Sequence, residues 1–234
     1  MERIATGIQG LDDMLRGGLP PNQTIVVIGS FGTGKSIFGL QFIFEGLKNG
    51  ESAVYISLDE GEGELIETAK NSGWEIKQYI DNGKLALIKL DAADIKASIT
   101  QIQSELPRLI ESFKPQRVVI DPVTLLEMLF SDESERRVNL FSLCQMIKSS
   151  GSSVVLITET DKFTNYSSKF GLVEYLADGV IVLRYIRADR VEDLREAQLA
   201  IEIVKMRRIE HSREIRPYSI TNNGLVVHSE VGLF

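Results

Sequence analysis

Eight consecutive residues constrain this chain more than any other feature. Gly29-Ser30-Phe31-Gly32-Thr33-Gly34-Lys35-Ser36 fits the pattern G-x-x-x-x-G-K-[ST]. The pattern has meaning only between a strand and a helix, and both flanks are legible. Ile25-Val26-Val27-Ile28 is a β-branched run, while Ile37, Leu40, Phe44 and Leu47 recur on one face at helical spacing. In such a turn the glycines let successive N–H groups converge on phosphate oxygens at a helix N-terminus. Lys35 brings a point charge to the β- and γ-phosphates, and the Ser36 hydroxyl suits Mg²⁺ ligation. Residues 29–36 are therefore the candidate ATP cradle.

Around this turn, strand-like and helical patterns alternate. Ala53 to Leu58, Leu85 to Leu90, Val118 to Asp121 and Ser153 to Thr158 read as buried strands. Glu62 to Asn71 and about Ser134 to Lys148 read as helices, as does Ile99 to Phe113, where Pro107 interrupts an apolar stripe. This order predicts an α/β fold with a mostly parallel sheet sandwiched by helices. The last third reads differently. Gly179 to Arg187, Leu199 to Met206, Arg216 to Thr221 and Gly224 to Val227 are strands joined by turns, which predicts an antiparallel extension of the same sheet. Residues 1–234 are expected to form one domain.

Composition narrows the class. One cysteine, Cys144, in 234 residues forms no internal disulfide and builds no zinc site. No apolar run approaches the ~18 residues a membrane helix needs, and the first residues lack the layout of a signal peptide. The expectation is a cytoplasmic protein with no membrane role. A net charge of -7 argues against a protein that coats nucleic acid by bulk charge.

Hydrolysis needs more than a phosphate cradle. Arg117-Val118-Val119-Ile120-Asp121 is an apolar strand ending in an acid, which suits Asp121 to the Mg²⁺ shell. The strand Val54 to Leu58 also ends in acids, Asp59-Glu60. Glu60 suits orienting or deprotonating an attacking water; the same acids, followed by Glu62 and Glu64, equally suit a charged helix N-terminus.

The chain resembles the KaiC-like branch of the RecA/RadA ATPase superfamily, as a single-domain archaeal RadA paralogue would. The resemblance is carried by Thr6-Gly7-Ile8-Gln9-Gly10-Leu11-Asp12, Leu15-Arg16-Gly17-Gly18-Leu19-Pro20, the phosphate loop, Asp59-Glu60, Gly73-Trp74 and Glu174 to Val182. It implies a RecA-like core, and it implies that the Asp59-Glu60 pair activates water, with Asp59 standing where the family has Glu and Glu60 as the base. It also implies a ring-type homo-oligomer with nucleotide between subunits. There a K-x-R pair from the neighbour, here Lys205 and Arg207, would reach the γ-phosphate, with His211 on a position that is often histidine. A solvated basic strand face is the plainer reading of that pair. Arg208 stands where the family usually has Gly. Thr158-Glu159 falls at the strand end that senses the γ-phosphate in relatives.

The same resemblance implies two uses for the ATP site: single-stranded DNA work in recombination and repair, or a nucleotide-switched protein-interaction module without DNA. Lys162, Phe163, Tyr166, Lys169 and Phe170 mix aromatics with cations where RecA-type loops touch DNA, which suits base stacking with phosphate contact. Arg136 and Arg137 form the companion candidate, although Asp132, Glu133, Glu135 and Asp161 dilute both segments. The resemblance implies that full recombinases carry an extra N-terminal domain and a linker motif, and with the core starting within a few residues of Met1 neither is expected here. The expectation is a paralogue that binds single-stranded DNA and modulates recombination, with a recombinase as a possible partner.

Overall fold

The computed structural model describes residues 2–90, 104–161, 164, 166–186 and 198–232. Nine strands form one sheet: β1 (Thr24–Gly29), β2 (Ala53–Ser57), β3 (Leu85–Lys89), β4 (Arg117–Asp121), β5 (Ser153–Glu159), β6 (Gly179–Ile186), β7 (Gln198–Met206), β8 (Arg216–Thr221) and β9 (Gly224–Val227). Their order is β3-β2-β4-β5-β1-β6-β7-β8-β9. The first six are parallel to their neighbours, and from β6 to β9 each pair is antiparallel. This is the RecA-like arrangement expected, extended on one side by the antiparallel strands.

The helices among the described residues are α1 (Leu11–Met14), α2 (Lys35–Lys48), α3 (Glu62–Asn71), α4 (Lys77–Asp81), α5 (Leu106–Phe113), α6 (Val123–Met128), α7 (Glu133–Ser149) and α8 (Val173–Leu176). Pro107 is the second residue of α5, and residues 104–105 just before it are wound as a π-helix, so the winding changes at the proline. The stripe expected from Ile99 onwards lies partly outside the described residues. None of the described helices is long and apolar enough to cross a membrane.

The two-residue period of β1 explains the layering. Ile25 and Val27 enter one core with Phe38, Phe42 and Ile43 of α2, whereas Val26 and Ile28 enter a second with Ile110 of α5 and Leu140 and Ile147 of α7. Each such buried aliphatic side chain contributes roughly 1.5–3 kcal/mol. Cys144 and Trp74 are core residues, Trp74 stacking on Phe44 with ring centroids 5.7 Å apart.

Polar ties fix the N-terminal segment and the C-terminal hairpin to α2. Thr6 donates to Asp12 through both its N–H (3.0 Å) and its hydroxyl (2.8 Å). Gln41 donates to the carbonyls of Gly7 (2.8 Å) and Leu225 (3.2 Å) and accepts from the Leu225 N–H (2.8 Å). Arg117, fully buried at the start of β4, stacks on Phe42 at 4.6 Å. It forks onto Glu51 at 2.7 and 3.1 Å and donates to the carbonyls of Ala5 and Phe42. Such a cation is tolerated only because its donors are met.

Candidate functional site

In a parallel sheet the strand ends converge on one edge, and here that edge collects the chemistry. The loop Gly29–Ser36 leaves β1 and enters α2 with Gly34 at φ 80°, a left-handed conformation that glycine adopts without strain. A Cβ on Gly34 would also stand 2.9 Å from Ile220 of β8, so the antiparallel extension presses on the loop. Tyr218 of β8 donates its hydroxyl to the Thr33 carbonyl at 2.6 Å. Within the loop, the Thr33 hydroxyl and the Lys35 ammonium both donate to the Ser30 carbonyl, at 2.7 and 2.9 Å. Phe31 projects from the tip, 89% exposed.

Strand β5 lies between β1 and β4 and sets the spacing from the loop to Asp121. Asp121 accepts from the Tyr55 hydroxyl at 2.6 Å and is hydrogen-bonded to Ser36. Burial raises its pKa first, against the opposing hydrogen bonds. Burial likewise lowers the Lys35 pKa, while Asp121 and Glu159 hold it up. At the end of β5, Thr158 shares a 3.0 Å hydroxyl contact with Thr124, whose hydroxyl also accepts from the Glu159 N–H at 3.0 Å.

Glu60 lies beside this cluster. Its pKa is raised, first by burial and then by Asp121, Asp59 and Glu64, with Lys89 opposing. One of its carboxylate oxygens, Oε2, is buried without a hydrogen-bond partner. A carboxylate so placed takes up a proton more readily than a solvated one. Asp59 is held through its carbonyl by Lys89. The helix-terminus reading also has substance, because Glu64 accepts from the Gly61 N–H at 2.6 Å and caps α3.

Asp121 and Ser36 offer two hard oxygen donors side by side, and among the described residues no group of three or more His, Cys, Asp or Glu is placed to hold a metal ion. That donor set fits Mg²⁺, which takes one or two protein oxygens and completes its shell with water and phosphate.

Lys205 and Arg207 are not brought to this edge. Met206 pairs with Gly179 at the start of β6, and the Arg207 N–H donates to the Asp178 carbonyl at 2.9 Å. Asp178 in turn donates its N–H to Thr24 at the start of β1. The pair thus stands at the opposite end of the strands, five residues of β1 or about 17 Å from the phosphate loop. Lys205 donates to the carbonyls of Glu174 (3.0 Å) and Ala177 (2.7 Å), and burial followed by Arg207 lowers its pKa. Arg207 is 54% exposed and has a 3.7 Å pairing with Asp178. Arg208 takes φ 69°, the conformation expected of the glycine it replaces. Nε2 of His211 is buried without a partner, and burial and Arg213 lower its pKa.

Among the DNA candidates, Lys162 and Phe163 lie outside the described residues. Tyr166, Lys169, Phe170 and Arg136 contact groups of their own chain. Arg184 donates to the Tyr166 hydroxyl at 2.7 Å and lies over its ring. Arg136 lies 4.2 Å over the Phe170 ring and donates to the carbonyls of Glu127 and Phe130. Lys169 approaches Met128, and Asp132 caps α7 by accepting from the Glu135 N–H. Arg137 faces a groove away from this loop, near Arg207.

Sequence reasoning missed Tyr55, Tyr218 and Glu127. The first two read as core aromatics, and only cross-strand register reveals what their hydroxyls hold. Glu127 did carry a signal, an acid inside the apolar run Val123 to Phe130. It is fully buried in α6, both carboxylate oxygens lack partners, and burial pushes its pKa up to about 8.

Comparison with known proteins agrees with this architecture. A sequence profile of the KaiC ATPase family matches residues 4–232. The chain is 32% identical over 238 residues to the circadian clock oscillator protein KaiC of Thermosynechococcus vestitus, covering 96% of this chain and 44% of that protein. It is 31% identical over 233 residues to the KaiC of Parathermosynechococcus lividus, covering 94% and 41%. The chain therefore spans less than half the length of these curated relatives. A crystal structure of a KaiC-like protein from the hyperthermophilic archaeon Pyrococcus horikoshii OT3 superimposes with a TM-score of 0.84 at 29% identity, covering 97% of this chain and 99% of that one.

Proposed function

The chain belongs to the KaiC family of ATPases, and from that premise we propose that it is an Mg²⁺-dependent ATPase whose active site is completed by a neighbouring copy of itself. Residues 1–234 would act as one ATPase domain, a reading supported by the continuous sheet from β3 to β9. The observation that carries the proposal is the separation of the two halves of the site. Lys35, Ser36, Asp121 and Glu60 share one edge of the sheet, and Arg207 stands about 17 Å away at the other. A side chain at that distance does not reach its own phosphates, but a head-to-tail neighbour presents one to the next copy. Such heterologous contacts close into rings when the rotation permits.

The geometry supports the following roles. Residues 29–36 cradle the phosphates through backbone N–H groups, and Lys35 takes the charge of the β- and γ-phosphates. Ser36 and Asp121 would hold Mg²⁺, which when bound neutralises charge on the phosphate oxygens. Glu60 accepts a proton from the attacking water, with Asp59 beside it. Glu159 and Thr158 would face the γ-phosphate, and Arg207, with Lys205, would stabilise charge there from the neighbour. The test is Arg207→Ala. It should bind ATP with unchanged affinity and hydrolyse it slowly, while wild-type turnover per chain rises with protein concentration. Unchanged turnover in the variant would sink the proposal.

For the use of the ATP site we infer single-stranded DNA binding in the service of recombination or repair. Support comes from the aromatic and basic loop beside the end of β5, where Lys169 donates its N–H to the Glu159 carbonyl and so touches the strand that faces the γ-phosphate. The second reading, a nucleotide-switched protein-interaction module, is favoured by one observation. Arg136 and Phe170, and likewise Arg184 and Tyr166, engage one another within the chain. Oligonucleotide binding at several salt concentrations separates the two. DNA binding predicts a linear fall of log affinity with log salt, shallower in Lys162→Ala/Lys169→Ala; absence of binding near physiological salt favours the module.

A further inference from the structure

The end of the molecule that carries Arg207 also carries an unfilled apolar surface. Between α7 and α8 runs a groove of about 500 Å³, lined by Val138, Phe141, Tyr175 and Leu176 with Arg137 and Arg207 at its rim. Val138 is 63% exposed and Tyr175 76%, and Phe141 is half exposed. Three large apolar side chains open to water in one groove mark a surface that is covered when the protein works. At the other end of the sheet, Phe31 at the tip of the phosphate loop is the most exposed of the large apolar side chains among the described residues. Neither feature is used by the chemistry of the site.

The two ends also differ in the sign of their charge. On the same edge of the sheet as the phosphate loop, but separated from β1 by β4 and β5, the acids Asp59, Glu60, Glu62, Glu64 and Glu67 gather at the end of β2 and along α3. Around the groove, Arg137, Lys148 and Arg207 are cationic, with Asp178 paired to Lys148 at 2.7 Å. Opposed charges of this kind steer encounter and fix the register of an interface.

We propose that this groove receives Phe31 of a second copy of the chain. The proposal rests on the reading that Arg207 acts on a neighbour's nucleotide and extends it to a named contact. Phe31 stands four residues before Lys35 in the same loop. When Arg207 of one copy reaches phosphates held by Lys35 of the next, that loop tip arrives beside Arg207, and the groove is the apolar surface there. Docking Phe31 would then couple the seating of the neighbour to the position of the arginine. It would make the groove, rather than the arginine alone, the determinant of which surface assembles on the phosphate loop.

A mixed cross-linking experiment tests this. Phe31→Cys protein and Tyr175→Cys protein are combined with ATP, Mg²⁺ and a short bis-maleimide. The native Cys144 is buried, and each variant treated alone controls for its reaction. The expected result is a covalent pair containing one chain of each kind, formed only in the mixture. In parallel, Lys35→Ala and Arg207→Ala proteins, each very slow alone, are mixed and assayed for turnover. Recovered turnover without the cross-link overturns the Phe31 contact and leaves the shared active site standing, so that the groove serves another partner. Loss of both overturns both. As a second measure, Tyr175→Ser combined with Phe141→Ser should weaken assembly at least 10-fold by sedimentation while leaving the circular dichroism spectrum unchanged. Assembly at the wild-type concentration would contradict the contact.

Discussion

The two ends of the sheet are built from the same strands and treat their carboxylates in opposite ways. At the phosphate-loop end, Glu60 and Glu127 carry buried oxygens without partners, and the pKa values of Glu60, Asp121 and Glu127 are all raised by burial. At the other end, Asp178 accepts from the Thr24 N–H and from Lys148, and its pKa is lowered by those bonds against its burial. Lys205 is satisfied by two carbonyls. One end is thus electrostatically uncomfortable on its own, which is how sites for charged ligands are prepared. At the other end the buried unpartnered atoms are neutral, Gln23 Oε1 and Thr24 Oγ1 at the start of β1, and the loosely held charge there is Arg207, half exposed and 3.7 Å from Asp178. The contrast suits a molecule whose reactive edge is relieved by nucleotide, metal and a cation from elsewhere.

The sharpest way to break this contrast is to remove the loose cation. Arg207→Ala should lower turnover by about 10³-fold, the low end of what such arginines contribute, with ATP affinity retained in a fluorescent-nucleotide titration. Glu60→Gln should come next, lowering turnover about 10²-fold and removing an acid limb from the pH–rate profile. An unchanged profile would assign the proton to another group.

A stability measurement probes the uncomfortable end without nucleotide. With the pKa of Glu127 raised from 4.5 to about 8, its contribution to folding is complete below pH 4.5 and is lost as pH rises towards 8. Arg136 and Lys169 oppose that shift, and Glu174 adds to it. Between pH 5.5 and 8.5 the wild type should lose on the order of 2–3 kcal/mol through this group, and Glu127→Gln should lose much less in paired urea titrations. Parallel losses would mean that Glu127 finds a partner when charged. The smallest effect belongs to the other end. Arg208→Gly should stabilise by about 1 kcal/mol or less, because it removes a left-handed arginine at φ 69°.

Local pattern made the parallel half legible. The β-branched run of β1, the glycines of the loop and the stripe on α2 each follow from residues close in sequence, and Asp121 and Glu60 follow from strands that end in acids. What could not be read was register. Nothing in Ala53-Val54-Tyr55-Ile56-Ser57 says that Tyr55 faces Asp121, because that depends on β2 lying beside β4 with Ser57 opposite Asp121. Nor does Tyr218 announce that it holds the Thr33 carbonyl, a contact across 185 residues. Pairing of Lys205 and Arg207 was suggested by resemblance alone; their distance from Lys35 required the antiparallel turn of β7 against β6. Small helices such as α6 and α8 were also missed, since four to six residues carry too little periodicity to declare themselves.

The shared active site is tested most directly by mixing Lys35→Ala and Arg207→Ala proteins in equal amounts with ATP and Mg²⁺. The first keeps its arginine but loses its phosphate lysine, and the second keeps a complete phosphate loop but has no arginine to lend. If the site lies between copies, the mixture hydrolyses ATP at a substantial fraction of the wild-type rate, although each protein alone turns over very slowly. A mixture no more active than its components would contradict the account and return Arg207 to a surface residue.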